Sequence, residues 1–133
     1  AKGAKALAIG ADRAFGSGER LPERVDAVME TVGAATWSHS VNSLKPGGTI
    51  VISGATSGDA PAKAELTKIF FKQLRVVGST MGSRAELERL AQFVVARGIE
   101  PVIDSTVSLA DARVGFERMA AGELFGKVVV TVS

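Results

Sequence analysis

The sequence predicts an α/β domain whose first half carries parallel strands. Two observations lead there. Apolar runs without polar alternation, Val25 to Met29 and Thr49 to Ser53, have the habit of strands buried on both faces. Between and after them come stretches with apolar residues at helical spacing, each closed by a glycine signal. Strand, helix and parallel strand in that order make one right-handed crossover unit.

Each element follows in chain order. Ala1 to Gly10 reads as a helix already under way, with Ala4, Leu7 and Ala8 on one face and Gly10 as its stop. No N-cap signal precedes it, so a longer protein is expected to continue upstream. After the strand at Val25 to Met29, Trp37, Val41 and Leu44 recur at i, i+4 and i+7 and mark one helix face. That helix should stop at the turn Lys45-Pro46-Gly47-Gly48, before the strand Thr49 to Ser53. A loop of small residues, Gly54 to Pro61, leads to a short helix with Leu66, Ile69 and Phe70 on its inner face. Leu74 to Ser79 is the third strand. Ser83 with Glu86 forms a capping box for a helix through Leu87, Leu90, Ala91 and Val94 that ends at Gly98. Pro101 leads an extended run, Val102 to Val107. Ser108 and Asp111 repeat the capping pattern before a helix carrying Ala112, Phe116, Met119 and Ala120, closed by Gly122, and Lys127 to Val132 is the last strand.

Composition narrows the function. The 133 residues suit one domain, and a chain of this length should bury roughly two-thirds of its unfolded surface. Sixteen basic against fourteen acidic residues leave a net charge of +2, too balanced to draw the chain to nucleic acid or a membrane. Cysteine is absent and histidine occurs once, which removes thiolate nucleophiles and any Cys/His zinc site. No apolar run approaches a membrane span and no signal peptide is recognisable, so a cytoplasmic location is expected. His39 lies off the face set by Trp37, Val41 and Leu44 and reads as a solvated helix histidine. Asp12, Asp26, Glu30, Asp59 and Asp104 lie scattered, and spacing alone pairs none of them as acid and base. No catalytic residue and no metal ligand is expected in this chain.

The loops after the strands point elsewhere. Ligands of open parallel sheets bind beyond the carboxyl ends of the strands. Those ends carry Thr31-Val32-Gly33-Ala34, Gly54-Ala55-Thr56-Ser57-Gly58 and Gly78-Ser79-Thr80, whose small side chains would let a flat ring or sugar approach the backbone. Glycines that serve only turns are the other reading of each loop. Three such loops at corresponding ends favour a ligand crevice. Neither phosphate-binding pattern, G-x-G-x-x-G or G-x-x-x-x-G-K-[ST], occurs, so a pyrophosphate loop would have to lie upstream of Ala1.

Taken together, Val25-Asp26-Ala27-Val28-Met29-Glu30-Thr31-Val32-Gly33, Leu44-Lys45-Pro46-Gly47-Gly48-Thr49-Ile50-Val51-Ile52-Ser53-Gly54, Gly78-Ser79-Thr80-Met81-Gly82-Ser83-Arg84, Pro101-Val102-Ile103-Asp104 and Phe125-Gly126-Lys127-Val128-Val129-Val130 resemble the medium-chain dehydrogenase/reductase superfamily. That superfamily includes the zinc-type alcohol dehydrogenases and quinone oxidoreductases. The resemblance runs over essentially the whole chain in family order. It implies a partial Rossmann-type doubly wound sheet: the C-terminal half of a dinucleotide-binding domain over residues 1–100, then a strand-helix-strand tail over 101–133 that would return to a missing catalytic domain. It implies NAD or NADP as cofactor of the parent protein and no turnover by this chain alone.

The resemblance also suggests roles. Thr31 and Val32 would line the adenosine-ribose side, and Gly33 would also bind the cofactor; Ser53, Gly54, Ala55, Val76 and Gly78 would lie near the nicotinamide; Lys127 would meet the pyrophosphate, or else stand solvated at a strand start. A homodimer is expected through the edge strand at Leu74 to Gly78, which holds no proline and only Arg75 as a charge. The two tail strands would pair with each other or with a neighbour. Three alternatives stay open: a class I methyltransferase-like S-adenosylmethionine domain, which shares Leu-Lys-Pro-Gly-Gly before a strand, a stand-alone nucleotide-binding module, and a dimerisation piece without catalysis.

Overall fold

The computed structural model describes residues 2–132. The chain forms two compact units, one holding the residues up to Asp12 and from Gly82 onward, the other Arg13–Met81.

The second unit is a parallel three-stranded sheet with a helix between successive strands. It runs β1 (Val25–Glu30), α2 (Trp37–Ser43), β2 (Leu44–Ile52), α3 (Leu66–Phe71) and β3 (Arg75–Gly78), in the order β1-β2-β3. The expected crossover is present. Val41 and Leu44 from the stripe read in the sequence are fully buried against Ile50 of β2.

Two expectations are corrected in this unit. Lys45 to Gly48 is not a free turn before the strand but lies inside β2. Val25 pairs with Leu44 and Ala27 with Thr49, so four residues of β2 bulge opposite Asp26 alone. Lys45 Nζ holds the bulge by meeting both Asp26 carboxylate oxygens at 2.9 Å. The Gly47 N–H donates to the Lys72 carbonyl at 2.7 Å. The supposed inner face of α3 is not buried either: Leu66 is 69% and Phe70 65% exposed. A helix of six residues has too few turns to cover the sheet, and Phe70 instead stacks on Phe71 at 4.7 Å.

The first unit contains α1 (Lys2–Ala8), α4 (Arg84–Ala96), β4 (Ile103–Ser108), α5 (Ala112–Ala120) and β5 (Lys127–Thr131). The two tail strands do pair with each other, in parallel, from Ile103–Lys127 to Ser108–Thr131. Gly115 of α5 is buried against Val128 and Val107, which lets the helix lie close to this ribbon. The capping box of Ser83 and Glu86 forms as read. Gly10, Gly98 and Gly122 all adopt positive φ past a helix end, and each bonds back in the Schellman pattern.

The core is smaller than the length suggested. Among the described residues Val41, Leu44 and Ile50 are the buried apolar side chains. The face of β1-β2-β3 that carries Met29 and Val77 leaves them 68% and 45% exposed, because α2 packs on the opposite face. One short helix covers only part of one face, and Val76 on that face, in β3, is itself 44% exposed.

Candidate functional site

Two loops meet at the carboxyl ends of β1 and β2. The Ala34 N–H donates to the Gly58 carbonyl at 2.9 Å, and the Ser57 N–H to the Val32 carbonyl at 2.7 Å. Ser57 Oγ donates to that same carbonyl at 2.7 Å and accepts from the Ala35 N–H at 3.0 Å. The Ser53 N–H closes the base by donating to the Glu30 carbonyl. Gly33 lies against Gly58 and Ala55, and Gly54 against the Thr31 carbonyl. These two glycines therefore have a fold-level reason: their bare backbones let the loops touch.

Glu30 anchors the first loop from inside. Its carboxylate is almost wholly buried and accepts from the N–H of Val32 at 2.9 Å, the N–H of Gly33 at 3.0 Å, Thr36 Oγ1 at 2.7 Å and Ser40 Oγ. Burial alone would raise its pKa. The Ser40 hydroxyl, the Gly33 N–H, the Thr36 hydroxyl and the Val32 N–H together outweigh that and hold it at about 2.

Two cavities border these loops. One, of about 340 Å³, is lined by residues 15–18 and Leu21 together with Met29, Glu30, Thr31, Val32, Thr36, His39 and Ser40. The other, of about 250 Å³, is predominantly apolar and is walled by Trp37, Ile52, Gly33, Gly54, Ala55 and Pro61. Trp37 is oriented by its indole N–H, which donates to the Ala64 carbonyl at 3.1 Å.

The structure thus brings Thr31, Val32 and Gly33 together with Ser53, Gly54 and Ala55. Gly78 closes β3 at the same end of the sheet, where the Ser79 N–H donates to the Ile52 carbonyl. Val76 sits inside β3 opposite Ile50, two residues short of that end. Lys127 is exposed at the start of β5, in the other unit. His39 is not freely solvated: it is half-buried, with Nε2 2.8 Å from the Glu19 carbonyl.

Sequence reasoning missed Glu30 and Trp37. The available signal was an acid at the end of an apolar strand, followed by hydroxyl residues six and ten positions on. Among the described residues no three His, Cys, Asp or Glu side chains could hold a metal. With no cysteine and one histidine in the chain, its donor set does not fit a zinc site.

Comparison with known proteins decides the family. The zinc-binding dehydrogenase family model matches residues 3–130. The chain belongs to the zinc-binding dehydrogenase family. It is 36% identical over 115 residues to a zinc-type alcohol dehydrogenase-like protein of Leptosphaeria maculans, covering 81% of this chain and 31% of that one. It is 29% identical over 115 residues to an acryloyl-coenzyme A reductase of Metallosphaera sedula, covering 86% of this chain and 35% of that one. A crystal structure of an NAD-dependent alcohol dehydrogenase superposes over 98% of this chain and 41% of that one, with a TM-score of 0.85 and 28% identity. The chain therefore spans about a third of the length of these curated relatives. The family match sets the methyltransferase alternative aside.

Proposed function

We propose that this chain is the part of an NAD(P)-dependent oxidoreductase, of the alcohol dehydrogenase or quinone oxidoreductase type, that positions the nicotinamide cofactor. Residues 1–100 form the C-terminal half of the dinucleotide-binding domain and residues 101–133 its tail. The observation that supports this reading is the joined pair of small-residue loops at the carboxyl ends of parallel strands, in a chain of this family.

When bound, the cofactor supplies the hydride, passed between its nicotinamide ring and an alcohol, carbonyl or activated alkene. The chain's own residues bind and orient. Thr31 and Val32 take the adenosine-ribose side, with Gly33 also at the cofactor. Ser53, Gly54, Ala55, Val76 and Gly78 offer backbone groups and close approach near the nicotinamide. Lys127 pairs with the pyrophosphate. In this reading the enzyme works in the cytoplasm as a homodimer, and the position of β3 at one side of the three-stranded sheet supports pairing there.

Calorimetric titration of the 133-residue chain with NADH and with NADPH tests the reading. Saturable heat for either supports it. No saturable heat for both sinks it and leaves a dimerisation piece. Light scattering that finds a monomer at high micromolar concentration removes the dimer.

A further inference from the structure

Glu30 is the most deeply buried charged group in the second unit, and the loop it holds is the one assigned to the cofactor. A buried carboxylate is costly unless its oxygens are satisfied. Those of Glu30 are satisfied, and unequally. Oε1 accepts from the N–H of Val32, the N–H of Gly33 and Thr36 Oγ1, while Oε2 accepts from Ser40 Oγ alone. Three of the four bonds therefore converge on one oxygen and fix the chain from residue 32 to the first turn beyond the loop. The opposite side of the same peptide is held as well, because the Val32 carbonyl accepts from both the N–H and the hydroxyl of Ser57. Val32 is thus clamped through both its N–H and its carbonyl, and it lines a cavity beside Thr31.

We propose that Glu30 is a positioning residue that preforms the Thr31–Val32 wall of the cofactor crevice, so that a nucleotide need not order this loop on binding. The proposal rests on the cofactor reading above. A preordered loop spares the binding step the entropy of ordering it, which appears directly as affinity. The role belongs to the geometry of Oε1 and not to the charge. A glutamine could keep its carbonyl oxygen toward the three loop donors and turn its amide nitrogen to Ser40 Oγ, which can also accept. An aspartate keeps the charge but is one methylene too short to reach the same donors.

The test uses Glu30→Gln, Glu30→Asp and Thr36→Val in the 133-residue chain. NADH and NADPH are titrated, with the fluorescence of the single tryptophan, Trp37, as readout, and amide exchange at Val32 and Gly33 is followed in parallel. Glu30→Gln should bind within about threefold of the wild type, whereas Glu30→Asp should bind about tenfold or more weakly and exchange these two amides faster, as loss of the bonds that Oε1 accepts from the loop implies. Thr36→Val deletes one bond to Oε1 with little change of shape, and should weaken binding about threefold even where Glu30→Asp fails to fold. A role confined to stability lowers the melting temperature but leaves the folded protein's affinity intact. Wild-type binding that Glu30→Asp and Thr36→Val retain overturns the positioning role alone. Weak binding by Glu30→Gln beside wild-type-like binding by Glu30→Asp overturns it in favour of charge. No saturable binding by the wild type overturns the cofactor reading and this deepening of it together.

Discussion

Gly33 stands so close to Gly58 that a β-carbon built on it would lie 2.5 Å from the Gly58 carbonyl oxygen and 2.8 Å from the Ala55 Cα. Its φ of +91° adds a second objection to any side chain. Gly33→Ala should therefore cost roughly 2–4 kcal/mol, read from the urea midpoint. Gly78 offers the contrast, since a β-carbon there meets nothing within 4 Å and its φ is ordinary. Gly78→Ala should leave the urea midpoint unchanged or slightly higher. Any loss of NADH affinity in that variant would then belong to the ligand and not to the fold. A Gly33→Ala chain as stable as the wild type would contradict the loop contact.

Glu30 gives the protein an acid-sensitive joint. A carboxyl held at about 2 in the folded chain, against an ordinary 4.5, contributes stability that is complete above about pH 4.5. That contribution fades as pH falls toward 2 and the group protonates in both states. Roughly 3 kcal/mol of stability should disappear between about pH 5 and 2. In Glu30→Gln this limb of the pH–stability curve should flatten. An unaltered acid limb in the variant would assign the loss to other carboxylates.

Asp104 and Arg118 tie β4 to α5, with Arg118 Nη2 2.8 Å from Asp104 Oδ2 and the aspartate side chain 7% exposed. The Phe125 N–H donates to Oδ1 at 3.1 Å, and Arg118 Nη1 donates to Ser105 Oγ. The Phe125 N–H lowers the Asp104 pKa most, and Arg118 adds to this against the opposing effect of burial. Stability from Asp104 is therefore present at neutral pH and lost as pH falls below the ordinary aspartate range. Asp104→Asn should melt at a lower temperature than the wild type at pH 7. The two curves should converge in acid, and a gap that persists there would assign the cost to packing.

Gln73 ends α3 in a left-handed conformation, φ +53°, where the other Schellman ends use glycine. The Gln73 N–H donates to the Phe70 carbonyl and the Leu74 N–H to that of Ile69. Gln73→Gly should remove the steric cost of the side chain and stabilise the chain by roughly 0.5–1 kcal/mol, net of glycine's greater freedom when unfolded. Differential scanning calorimetry would show a raised midpoint. A lowered one would mean that the glutamine side chain contributes something its backbone conformation hides.

What the sequence disclosed, and what it hid, follow from the range of the interactions. Val41 and Leu44 were legible because their spacing put them on one side, and here the sheet covers that side; Gly10, Gly98 and Gly122 were legible because a positive φ favours glycine. Gln73 hid its helix end because the same backbone geometry had no glycine to mark it. The bulge of Lys45 to Gly48 read as a turn because Pro and Gly announce a break in pairing but not its extent. The exposed face of α3 was misread because spacing tells which residues share a side and not whether anything covers it. At the site, the small-residue loops were visible as composition. Glu30 was not, because its partners at positions 32, 33, 36 and 40 follow it closely but share no spacing rule, and they converge on one carboxylate only when the loop folds.

The first helix has a consequence for the order of events in folding. Lys2 Nζ donates to the Gly122 carbonyl at 2.6 Å, and Lys5 lies over the Phe125 ring at 5.6 Å. The β4–β5 ribbon closes over about two dozen residues, but the Lys2 contact spans 120. Closing the longer loop costs more entropy, by about 0.6 kcal/mol for each doubling of its length. On the ribosome the disparity is one of time as well. α1 leaves the exit tunnel well before its partners Gly122 and Phe125 are made. Until they emerge, this helix has no place to dock.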